Sequence, residues 1–523
     1  LLRRYLSHYP GHLNIKWEQF MQLGKLTENP AELFSMSVLA ARLSQEMNAV
    51  SRIHCRVTRD MFRSLYPGYY PAELPIGYVT NGVHLPTWAS KSWQDLYTKF
   101  SRDFMDNQSD QSLWEKIREV DDEIIWKIRT KQKRALTDYL MLRLYGEMTR
   151  RNEDPKMIFR LREATRKQAM TFGFARRFAT YKRAHLLFTN LPRLAKIVNS
   201  TKKPVRFIFA GKAHPKDKAG QDLIRKIYEI SKTPEFMGKI IFVENYDIEL
   251  AQYLIQGVDV WLNMPTRPLE ASGTSGEKAV MNGVVNFSVL DGWWAEGYRQ
   301  DAGWALREET TYDNPQSQDE LDAETIYTLL EEEIIPMYYD CNEKKIPVKW
   351  IGYIRNTIAG IAPHFTMKRQ LDDYHERFYK KLAHRSKAMN LHSYELARHI
   401  ASWKRNVLKG WNSIQVVSME VPDSTQKPMI LGDTFKAEVV LDLKELRGTE
   451  VGVEVVFGKK VNDEVNEPIL IEEMKLSRTN KSTVTYACEI PFNQAGVYDF
   501  SFRIFPKNEL LPHRQDLSLV KWI

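Results

Sequence analysis

Residues 170–183 read MTFGFARRFATYKR, and they decide how the middle of the chain folds. MTFGFA is a short apolar run of strand length. Just past it, Arg176, Arg177, Lys182 and Arg183 crowd four cations into eight residues. Outward from this stretch the same texture recurs in VRFIFAG (205–211), KIIFVEN (239–245), VDVWLNM (258–264) and VVNFSVL (284–290). Amphipathic segments of helical length separate these runs, so the spacing predicts βαβ units: a parallel sheet with helices on both faces. Ligands of such sheets bind beyond the carboxyl ends of the strands, where the basic run falls. Arginine forks and lysine point charges in this position suit phosphate oxygens, whereas an isolated basic helix end would read as a solvated surface.

The flanks differ from this core. Residues 1 to 55 look helical, with Leu33, Met36, Leu39, Leu43 and Met47 spaced to share a face. Residues 66–92 are rich in Pro and Gly and read as loop around one short strand. SLWE (112–115) has capping-box spacing, and a long helix is expected to begin there. Residues 320–410 are again mostly helical. After Trp411, runs such as DTFKAEVVLDL (433–443) and EVGVEVVFG (450–458) alternate with period two, predicting a sandwich-like all-β module. The expected division is 1–110, 111–410 and 411–523. A chain of 523 residues requires more than one core.

Composition bounds the partners. Lys plus Arg number 75 against 66 Asp plus Glu, a formal net charge of +9. Spread over this length, the excess argues against nucleic acid and suits a phosphorylated small molecule. Three scattered cysteines, Cys55, Cys341 and Cys488, argue against a disulfide framework and for a reducing, cytoplasmic setting. No apolar run is long enough to span a bilayer, so no membrane partner is expected. The start, LLRRYLSHYP, reads like the interior of a longer protein.

The second constellation is EASGTSGEKAVMNG (270–283), which follows the strand run VDVWLNM. Thr274 or Ser275 is expected to cap a helix running to Asn282, with Gly283 ending it. Lys278 then lies in the first turn, against the positive end of the helix dipole. A phosphate on the free N–H groups would compensate, as would a desolvated, neutral lysine able to form a Schiff base. A solvated surface lysine beside a flexible loop is the other reading.

FARRFATYKRA, ENYDIELAQYL and RPLEASGTSGEKAVMNG together resemble the α-glucan phosphorylase family. MNAVSRIHCRVTRDMF and GYVTNGVHLPTWAS resemble it at two further points, all in family order from about residue 33 to 300. The resemblance implies a two-Rossmann (GT-B) architecture and pyridoxal 5'-phosphate. It places Lys278 on the Schiff-base lysine, with Tyr246 and Trp88 on cofactor contacts. Thr274 and Ser275 fall on the loop for the cofactor phosphate, and Arg176 and Lys182 beside that phosphate. Arg177 matches the arginine for the substrate phosphate. Asn81, Glu270, Ser272 and Gly273 fall on contacts to glucose hydroxyls, and His54 on a recurrent histidine that reads as a core residue.

The implied activity is reversible, retaining phosphorolysis of α-1,4-glucan with inorganic phosphate to glucose 1-phosphate, the cofactor phosphate relaying a proton. No metal is implied. Glu277 stands where relatives often carry Met, as an anion with no role. The resemblance is not expected to extend past Trp411. The absent first half of the enzyme is the expected partner, alongside self-association, and the isolated chain is expected to be inactive. A nucleotide-sugar glucosyltransferase of the same architecture and a truncated, non-catalytic glucan-binding protein are the alternatives.

Overall fold

The computed structural model describes residues 1–306, 314–422, 432–461, 464–491 and 497–523. The contacts group them into two compact units, 50–54 with 78–375, and 1–49 with 55–77 and 376–523.

The first unit is built on a six-stranded parallel sheet. Its strands are β1 (Met170–Ala175), β2 (Val205–Ala210), β3 (Ile240–Val243), β4 (Val260–Asn263), β5 (Val285–Val289) and β6 (Gly303–Leu306). Their order is β3-β2-β1-β4-β5-β6, the doubly wound arrangement in which the strand order reverses between β1 and β4 while all strands stay parallel. The five apolar runs noted above form β1 to β5; β6, only four residues long, is an addition that its short, Trp-containing run did not announce.

Strands β1 to β5 are buried along their whole length because alternate side chains feed two cores. Phe172, Phe174, Phe207, Phe209 and Phe287 enter one cluster with the helix Val348–Gly360. Ile208, Ile241, Val243 and Trp261 enter the other, against Leu136, Leu140 and Leu144 of the helix Asp122–Arg150 and Leu250 and Leu254 of the helix Ile248–Gly257.

The long helix starts at Asp122, not at SLWE. Asp110 caps a short helix, Gln111–Glu115, which runs into a 3₁₀ turn ending at Glu119 before the long helix begins. An aspartate side chain accepting from Ser112 N thus displaces the serine cap expected there.

In the second unit, two antiparallel four-stranded sheets follow Trp411. Their inward side chains, Phe435, Val439 and Tyr486 from one and Val453, Val455 and Phe502 from the other, share a single apolar cluster. The helix Met36–Leu43 departs from the expected apolar face: Val38 and Ala41 are buried, while Leu33, Met36 and Leu43 are exposed. No helix of the described residues is long and apolar enough to cross a membrane.

Candidate functional site

The carboxyl edge of the parallel sheet gathers most of the singled-out side chains. β1 ends at Ala175, so Arg176 and Arg177 leave the sheet in succession and face opposite ways. Arg176 is buried, 8% exposed, and Arg177 is exposed, with no hydrogen bond or ion pair among the described residues. The basic run then forms the 3₁₀ turn Thr180–Lys182 instead of opening an α-helix.

Arg183, at φ 48°, turns inward and donates to Asp319 at 2.9 Å, Asp322 at 2.6 Å and the carbonyls of Met264 and Pro265. Of the four cations in the run, this one is therefore fully committed to holding the fold. The other two buried cations, Lys182 and Arg176, converge on one carboxylate. Lys182 Nζ bonds Glu270 Oε2, and Arg176 Nη1 lies 3.5 Å from the same oxygen.

Arg176 Nη2 donates to Ser275 Oγ at 3.2 Å, and that hydroxyl also accepts from Trp261 Nε1. Arg176 Nε and Nη1 have no hydrogen-bond acceptor among the described residues. Burial pulls the Arg176 pKa down, with Glu270 opposing that shift. Two buried cations thus face one buried carboxylate, and guanidinium donors are left without acceptors, a costly arrangement unless an anion enters.

The loop 270–276 is shaped by close approach. Gly273 adopts φ 89°, and a Cβ on Gly276 would come within 2.7 Å of both Asn286 Oδ1 and the Trp293 ring. Asp291 holds the loop through Oδ2, which accepts from Glu270 N at 2.9 Å. Burial, helped by the charge of Glu270, raises the Asp291 pKa to about 6.

The following helix spans Thr274–Val280, with Gly273 in the cap position and no side-chain cap. Thr274 and Ser275 are therefore first-turn residues and not caps, and Lys278 lies in the last turn, not the first. The dipole conflict expected there does not arise. The Lys278 pKa is lowered because the amine is desolvated, with Glu277 opposing the shift. Its Nζ sits 4.1 Å from the centre of the half-buried Trp88 ring. Tyr246 is half-buried in the same unit, its phenol pKa raised by burial against the pull of Arg176.

Glu277 is fully buried. Desolvation drives its pKa well above the ordinary carboxyl value, against the fields of Arg369 and Lys278. Burial therefore favours the uncharged acid over the anion that the sequence suggests. Its Oε1 lies 3.5 Å from the buried Ser272 Oγ. Asn81 is fixed from three sides: its N donates to Val50 O, its Oδ1 accepts from Gln370 and its carbonyl from Arg369. His54 accepts from Val50 N at 3.4 Å, and burial lowers its pKa, as suits a neutral packing residue. Sequence reasoning missed Asp291, Asn286 and Trp293, which shape the loop from β5 and the turn after it; no local spacing marks them.

Residues 2–299 match the family model described as carbohydrate phosphorylase. Residues 411–523 match a second model, glycogen phosphorylase C-terminal domain. The family likeness thus continues past Trp411, against expectation. Alternating strands meet a pattern that many sequences satisfy, so no short motif announced it.

Maltodextrin phosphorylase of Thermococcus litoralis is 36% identical over 510 residues, covering 97% of this chain and 58% of that protein. Glycogen phosphorylase of Aquifex aeolicus is 41% identical over 394 residues, covering 73% and 56%. Glycogen phosphorylase of Mycobacterium tuberculosis is 32% identical over 494 residues, covering 94% and 57%. The chain spans less than six-tenths of the length of these curated relatives. With its model matching more than half of the residues, the chain belongs to the carbohydrate phosphorylase family.

Proposed function

We propose that this chain forms the cofactor- and phosphate-binding part of a GT-B-type α-1,4-glucan phosphorylase, which reversibly converts glucan and inorganic phosphate to glucose 1-phosphate with retention. The observation that carries this reading is the unbalanced charge at the end of β1: Arg176 and Lys182 buried against Glu270 alone, with Arg176 donors unspent.

Pyridoxal phosphate fits the residues present. Lys278 offers a partly desolvated amine whose pKa burial lowers in the direction of the free base, and Trp88 supplies a flat wall beside it. Tyr246 lies within electrostatic reach of Arg176. Thr274, Ser275 and Arg176 stand together as donors for its phosphate, and Arg176's unpartnered Nε and Nη1 suit that anion. When bound, the cofactor supplies a phosphate able to exchange a proton with the substrate phosphate.

The chain's own residues do the rest. Exposed Arg177 takes the substrate phosphate through charge-assisted bonds. Lys182 stands beside both anions, and as they arrive it relaxes its hold on Glu270. Glu270 is then free to accept a hydroxyl of the sugar, which Asn81, Ser272 and Gly273 help orient. Because the carboxylate serves a hydroxyl, the leaving oxygen is protonated through phosphate and a glycosidase pair of carboxylates is not required.

The test is direct. Incubation of the chain with pyridoxal phosphate, borohydride reduction and peptide mass spectrometry should find the adduct on Lys278. An adduct spread over surface lysines, or none, would sink this reading, as it would if the protein were a nucleotide-sugar transferase.

A further inference from the structure

At the opposite edge of the same sheet lies a cavity of about 890 Å³ that the proposed reaction does not use. Its walls include Ala169 before β1, Arg206 near the start of β2 and Asp259 before β4, so it opens at the amino ends of the strands. Eight of its nineteen lining residues are lysine or arginine, and two are aspartate.

The buried part of this charge is the telling part. Arg129 is 2% exposed, Arg206 is 4% exposed and the Lys133 side chain is 15% exposed, whereas Asp259 is the buried carboxylate beside them. Lys133 Nζ donates to Asp259 Oδ2 at 2.5 Å and to Tyr338 Oη at 2.7 Å.

Arg129 donates to the carbonyls of Gln256 and Asn282, and Arg206 to those of Ala164, Thr165 and Lys167. Those carbonyls satisfy N–H groups but carry only partial charge, so they do not cancel the excess. Burial accordingly lowers the pKa of Arg206 to about 10. It lowers that of Lys133 too, where Arg129 and Arg206 add repulsion and Asp259 opposes it. At the mouth, exposed Arg134, Lys167 and Lys345 add charge with no ion pair among the described residues.

We propose that this cavity binds a small, multiply charged phosphate: an inorganic polyphosphate or a phosphate ester. Its volume is that of a small-molecule site, and a focused positive field in low-dielectric walls selects compact anions. The inference is independent of the role assigned to Arg177 and Lys278.

Calorimetric titration of the 523-residue chain with inorganic pyrophosphate tests it, and fructose 1,6-bisphosphate in a parallel arm separates the inorganic from the ester source. The triple variant Arg134→Glu/Lys167→Glu/Lys345→Glu should weaken binding roughly tenfold or more at an unchanged Tm, and rising salt should do the same. Arg177→Ala should leave this binding intact. Should the triple variant unfold, Arg134→Glu and Lys345→Glu singly should each weaken binding by a smaller factor. No binding by either probe, or binding that survives the charge reversals, overturns the proposal; loss in Arg177→Ala would move the anion to the candidate active site.

Discussion

Two buried charge clusters, one in each compact unit, show what a protein does with charge it must keep and charge it must use. In the unit holding the β-module, Arg503 is fully buried and spends every nitrogen: Nε on Glu454 at 2.6 Å, Nη1 on Gly68 O and Glu73 Oε2, Nη2 on Glu73 Oε1. Arg514 completes the set on Glu454 at 2.6 Å and Glu73 at 3.0 Å. Two arginines meet two glutamates. At the end of β1, two cations meet one glutamate, and Arg176 keeps idle donors. The first cluster is closed and structural. The second is open, and an anion would close it.

The sharpest way to break the comparison is to remove one member of the closed set. Arg503→Met leaves two buried carboxylates to Arg514 alone and should cost about 3–5 kcal/mol, read by chemical denaturation. The same cluster should be acid-sensitive. Burial opposes the Glu73 charge, but Arg503 and the Tyr70 N–H outweigh it and hold its pKa below the ordinary 4.5. That stability is present above 4.5 and lost as pH falls through the lower folded value. By contrast, Arg176→Met should change stability by less than about 1 kcal/mol, since Glu270 keeps Lys182 while a desolvated cation is removed. Equal losses in the two variants would erase the distinction between closed and open clusters.

The open set should instead register in binding. Arg177→Ala should weaken phosphate roughly ten- to hundredfold, measured by titration, while leaving cofactor content and melting temperature near those of the parent. A variant that loses cofactor but keeps phosphate would reverse the roles of Arg176 and Arg177.

Glu277→Gln should have the smallest effect, within about 1 kcal/mol, because an uncharged amide replaces a carboxyl that burial pushes toward its uncharged form. The pH dependence sharpens it. A folded pKa raised above 4.5 means that the carboxyl's stability is whole below 4.5 and declines as pH rises toward the folded value. The glutamine variant should therefore gain on the parent as pH increases. Parallel stability curves would show that Glu277 is charged in the fold.

Much of the scaffold was legible in the chain. MTFGFA and its four companion runs mark β1 to β5 because a strand buried on both faces must be apolar throughout. The family motifs placed the lysine, the basic run and the loop 270–276 within one region. Less legible were the local terms. The position of Lys278 in its helix was misread because Gly273, not a hydroxyl residue, starts the helix, and glycine caps through its backbone conformation. Arg183 and Arg176 look alike in sequence and part company only when Asp319 and Asp322 arrive from a distant helix.

By itself, then, the sequence determined the repeating strand-and-helix pattern, the β texture after Trp411 and the family, since each is written in short-range periodicity or contiguous motifs. Only the tertiary structure decided which charges are spent. Lys182 and Glu270 lie 88 positions apart, and Arg183 and Asp322 lie 139 apart. Whether a buried cation is satisfied or waiting depends on those distant partners and on how much water the fold excludes around them.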